Sequence, residues 1–182
     1  MSASVEHLQF PIGRFTLGLD YTLTDIQNNI KSFSGFPVQL ESLVKNWKAD
    51  ILAVKYREGG WNGRQVIHHL ADSHCNLVIR VKGALTEDPA QIKPYDENRW
   101  ANLFDGSKSD INFSLQILHG VHARLTDLFL NLSTSDWQLT TYHPGSKHMF
   151  TLAELLAMYT WHGQHHLGHL KIVEQNFNNI KK

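Results

Sequence analysis

The segment from Leu152 to Val173 constrains the fold more than any other part of the chain. Leu152, Leu155, Tyr159, His162, His166, His169 and Val173 follow one another at intervals of three and four. That is the repeat of one face of an α-helix. Thr151 and Glu154 have the spacing of a capping box, and Phe150 and Leu155 that of a hydrophobic staple. A helix with so continuous an apolar stripe has to be covered by other helices.

Three further segments supply them. A helical pattern starts at Thr24, three residues before Gln27, and Ile30, Phe33, Leu40, Leu43, Val44 and Trp47 keep the 3–4 spacing. Gly35 and Pro37 are expected to kink this helix or delay its start. Asn62 and Gln65 cap a second helix running to about Leu85, where Thr86–Pro89 stops it. Leu118, Val121, Leu125, Leu128 and Leu132 mark a third, from about Ser109 to Leu132. Residues 1–23 read as a short irregular N-terminal arm, 50–60 as an extended connection, 92–106 as a polar loop, and 133–149 as irregular or a small hairpin. Four long helices and little strand predict an all-α four-helix bundle, with residues 1–182 forming one domain.

Histidine is the unusual component. Seven of the 12 lie within residues 68–74 and 162–169, where a uniform spread would place about one. On the last helix His162 and His166 share the apolar stripe, one turn apart, and two imidazoles so placed can grip one metal ion. A rival stripe, Met158, Trp161, His165, Gly168 and Ile172, leaves His165 and His169 in play. On the second helix His69 lies on the face of Val66, Ser73 and Leu77, and His74 on that of Ile67, Leu70 and Val81. His68 falls near Arg64, Asp72 and Cys75. One histidine from this helix plus the pair on the last would make a three-histidine site with coordination positions left for water or substrate. Asp72 is the candidate to orient a ligand ring or act as general base. Trp61, Trp100 and Tyr159 read as packing residues, Cys75 as a small buried one, and His143 as turn material.

Lys plus Arg equals Asp plus Glu, 17 each, so nothing suggests a nucleic-acid footprint. No apolar run is long enough to span a bilayer, no signal peptide is visible, and the single cysteine excludes an internal disulfide. The expected setting is the cytoplasm, and the expected partner is a small-molecule substrate.

Taken together, FPIGRF, YREGGWNGRQVIHHLADSH at 56–74, LTEDPAQIKPYDENRW at 85–100, YHP at 142–144 and TLAELLAMYTWHGQHHLGHL at 151–170 resemble the DinB superfamily. Within it, they resemble the YfiT-like metal-dependent hydrolases. The resemblance implies a four-helix bundle of unusual connection order and a homodimer. It also implies one divalent ion per subunit, zinc or nickel, held by His69, His162 and His166. The implied activity is hydrolysis by metal-activated water. The superfamily also contains bacillithiol-type thiol S-transferases, and a non-enzymatic module stapled by its metal is the third alternative.

Overall fold

The computed structural model describes residues 3–88 and 90–181. In chain order the helices are α1 (Ala3–Gln9), α2 (Leu23–Val44), α3 (Ala49–Leu52), α4 (Gly63–Thr86), α5 (Glu97–Ala101), α6 (Phe104–Lys108), α7 (Ile111–Leu130) and α8 (Leu152–Ile180). The strands β1 (Ala90–Gln91), β2 (Thr140–His143) and β3 (His148–Thr151) form a small sheet in that order, the first pair parallel and the second a hairpin. The fold is an all-α four-helix bundle carrying this sheet at one end. No helix among the described residues is long and apolar enough to cross a membrane.

The principal contacts run α2–α7, α7–α4, α4–α8 and α8–α2. Helices α2 and α4 therefore sit diagonally, as do α7 and α8. The core falls into two clusters. One takes Phe36–Val44 of α2, Val66–Ala71 of α4, Ile111–Leu118 of α7 and Leu167–Val173 of α8. The other takes Ile26–Phe33, Leu77–Ala84, Leu125–Phe129 and Leu152–Tyr159. Read along the chain, α4 and α7 pass from the first cluster to the second, while α2 and α8 pass the other way. Helices α4 and α7 are thus parallel neighbours, as are α2 and α8. The diagonal pairs need connections that cross one end of the bundle, which residues 45–62 and 131–151 provide. The parallel pair α4–α7 needs one that runs the length of the bundle, which the segment carrying β1, α5 and α6 provides.

Local signals account for most boundaries. Asn62 and Gln65 form the reciprocal capping box at the start of α4. That helix ends at Thr86; Pro89, expected to stop it, lies outside the described residues. Thr151 caps α8, but Glu154 does not complete a box; its carboxylate instead accepts from Gly18 N at 2.7 Å and from His148 Nε2 at 2.9 Å. The cap of α2 is Thr22 with Asp25, two residues before the expected Thr24. The helix then continues through Gly35 and Pro37, held by burial of Phe33, Phe36 and Leu40. The arm expected to be irregular holds α1, the 50–60 connection begins in α3, and the polar loop winds into α5 and α6.

Candidate metal centre

Between the two apolar clusters the bundle carries a layer of imidazoles. His69 and His74 supply it from α4, His122 from α7, and His162 and His166 from α8. His69, His162 and His166 each bring a ring nitrogen within 4.8 Å of the other two. Nε2 of His69 and Nε2 of His162 are 3.2 Å apart. A tetrahedral ion with bonds of about 2.0–2.1 Å needs ligand nitrogens about 3.3–3.4 Å apart, so the donors suit a divalent metal in type and the His69–His162 pair stands close to the required spacing. His69 and His166 are buried, while His162 keeps one edge at a cleft.

Burial is the main influence on these rings. It pushes His69 down to about 4, helped by His165 and His169, and holds His162 and His166 well below the ordinary histidine value. Neutral imidazoles keep a lone pair for a metal at neutral pH, with no proton to displace. His165, His166 and His169 also bring ring nitrogens together, all from α8. That set shares His166 with the first, and His169 has Nε2 turned to the Gln9 carbonyl at 3.2 Å. The set drawn from two helices is the one that faces the cleft from opposite walls.

The cleft has two lobes, of 370 Å³ and 340 Å³. His69, Glu97, Trp161 and His162 line both. A larger hollow of 650 Å³ lies between α4 and α7 and contains none of these histidines. Glu97 is open to the cleft, yet partial desolvation and then the charge of Asp96 lift its carboxyl above the usual range. Arg80 and His143 line the second lobe, where Arg80 Nη1 donates to Tyr159 Oη at 2.7 Å.

The DinB superfamily pattern matches residues 33–170. The chain belongs to the DinB superfamily. Two DinB relatives match over nearly their full length. The Bacillus subtilis protein named "Putative metal-dependent hydrolase YfiT" is 37% identical over 164 residues, covering 90% of this chain and 92% of its own. An Oceanobacillus iheyensis protein, OB0782, bears the same hydrolase name and is 40% identical over 162 residues, covering 89% and 93%. The solved structure of B. subtilis YfiT, described as having an unusual four-helix bundle topology, superposes with a TM-score of 0.91. It is 35% identical and covers 94% of this chain and 98% of that one.

Within this DinB bundle the remaining expected residues separate clearly. Asp72 lines neither lobe; burial and then Asp105 push its carboxyl up to about 6. His68 is buried rather than on a polar face, with Nδ1 2.7 Å from Ser114 Oγ and Nε2 3.2 Å from the Ser109 carbonyl. Cys75 is exposed, not buried, and its thiol is raised, by burial of part of the side chain and then by Asp72. Trp61 packs on His69 at 4.6 Å, Tyr159 is buried, and Trp100 is exposed against Tyr95. His143 is the last residue of β2 rather than part of the turn. Sequence reasoning missed His122, although it lies four residues after Leu118 and three before Leu125, in register with the buried face of α7. It also missed Glu97 and Arg80, which only tertiary packing brings to the cleft.

The buried imidazoles make stability depend on pH. His69 and His122 titrate near 4 in the fold and near 6.5 when unfolded, so between those values the unfolded chain binds more protons. Their contribution is complete above about 6.5 and is lost as pH falls toward 4, at roughly 1.4 kcal/mol per pH unit for each ring. Chelator-treated protein should show a lower urea midpoint at pH 5 than at pH 7.5; an equal or higher one contradicts neutral burial.

Proposed function

We propose that this protein is a metal-dependent hydrolase whose divalent ion is held by His69, His162 and His166. The observation that carries this reading is the meeting of three neutral histidine nitrogens from α4 and α8 at the floor of a two-lobed cleft. When bound, such an ion lowers the pKa of a coordinated water and polarises a substrate carbonyl. Zinc suits the three imidazoles, and nickel is compatible with the same donors. Glu97 faces both lobes with its carboxyl raised above the ordinary value by partial desolvation and then by Asp96, so it is placed to take a proton in the cleft. Trp61 and Trp161 line the first lobe, while Arg80 brings a positive charge to the second beside Glu97. The hydrolase names of the relatives support the reading.

The test is turnover of ester and amide panels by zinc-loaded protein. Chelation should abolish turnover, and added zinc should restore it. Turnover indifferent to chelation overturns the reading, and transfer of a thiol to an electrophile in place of hydrolysis would reassign the protein as an S-transferase.

A further inference from the structure

Two backbone carbonyls in this bundle have no donor within their own helix, and a histidine reaches each. Pro37 has no N–H, so the carbonyl four residues before it, that of Phe33, loses its helical partner. His122 Nδ1 lies 2.7 Å from that oxygen. Gln9 is the last residue of α1, and its carbonyl is among those a helix leaves open at its C-terminus. His169 Nε2 lies 3.2 Å from it.

A carbonyl oxygen can only accept, so His122 carries its hydrogen on Nδ1 and His169 on Nε2. A neutral imidazole has one N–H, and its other nitrogen accepts. From Phe33 the assignment passes inward. His122 Nε2 is bare, so His74 Nδ1, 2.7 Å away, donates to it. His74 Nε2 is then bare, and His162 Nδ1 donates to it across 3.4 Å, the longest link. This leaves His162 with a bare Nε2. From Gln9, His169 Nδ1 is bare, and His166 Nδ1 donates to it across 3.2 Å. This leaves His166 with a bare Nε2 as well.

Burial keeps water from substituting in either chain: His74, His122 and His169 are 0%, 1% and 2% exposed. An aromatic face also fixes each anchor ring, Phe33 over His122 at 3.9 Å and Tyr56 over His169 at 4.0 Å. Free histidine in water favours the Nε2–H form, so His162 and His166, with hydrogen on Nδ1, are held against their default. Here the partner of one nitrogen decides which nitrogen a metal can use.

We propose that His122 with His74, and His169 on its own, are positioning residues. They set His162 and His166 in the Nδ1–H form through carbonyls that Pro37 and the end of α1 leave free. The inference rests on the metal site proposed above, but its failure reads differently.

The experiment is long-range proton–nitrogen NMR of the histidine rings in ¹⁵N-labelled, zinc-loaded protein. His74, His122, His162 and His166 should carry hydrogen on Nδ1 and His169 on Nε2, with zinc shifting Nε2 of His162 and His166. Hydrogen on Nε2 of His74 or His122, or zinc on Nδ1 of either ligand, overturns the proposal while leaving the metal site standing. Zinc shifting none of the rings of His69, His162 and His166 overturns both. In parallel, His122→Leu and His169→Leu should each weaken zinc, measured by chelator competition, about 10–100-fold. Unchanged affinity in both also overturns the proposal. If either variant fails to fold, the spectra of the unsubstituted protein decide.

Discussion

Replacing His166 with alanine should strip the metal from the protein. Three neutral nitrogens are the whole protein ligand set proposed here, and His166, like His69, is buried. Removing a group that merely orients a ligand costs roughly 10–100-fold in affinity, and losing a ligand should cost more. Purified His166→Ala should therefore hold only a small fraction of the roughly one ion per chain expected of the parent. His165→Ala is the control. His165 is one residue away and equally buried, but its Nδ1 has no hydrogen-bond partner among the described residues, and its ring stacks on Trp161 at 4.5 Å. It should keep the ion. Elemental analysis of both variants, beside their melting curves, separates metal loss from unfolding. Full metal retention in His166→Ala would falsify the ligand assignment.

That contrast between adjacent histidines was partly legible in the sequence. The 3–4 repeat from Leu152 to Val173 put His162 and His166 on the stripe that meets α4, and reciprocal capping placed the start of α4 at Asn62. Repeats of this kind are local, so sequence spacing carries them. The diagonal placement of α2 and α4 is not local; it depends on where two long connections cross, and no residue pattern records that. Pro37 shows the same limit. Its ring predicts an interruption of α2, yet packing of Phe33 and Phe36 keeps the helix whole. What the proline changes is a single carbonyl, and that matters only because α7 brings His122 to it. Glu97 was hidden for a similar reason: a charged residue in a polar loop looks solvated until the loop folds over the cleft.

Glu97→Gln is the second large effect, and it distinguishes two candidate bases. Glutamine keeps the shape of the side chain but cannot take a proton, so turnover should fall about 10²–10⁴-fold while metal content stays that of the parent. The sign of the pH profile follows from the same role. A base works deprotonated, so activity in the parent falls as pH drops through the raised value of the Glu97 carboxyl, and this acid limb should vanish from the residual activity of Glu97→Gln. Asp72 is the rival. Its carboxyl is pushed up to about 6, an attractive value for a base, but burial and Asp105 set it there on a face that lines neither lobe. A group that reaches no substrate cannot transfer its proton, however well its pKa is matched. Asp72→Asn should therefore leave both rate and acid limb in place. A profile that loses its acid limb in Asp72→Asn and keeps it in Glu97→Gln would return the role of base to Asp72. It would also mean that α6 moves aside to admit substrate along that face.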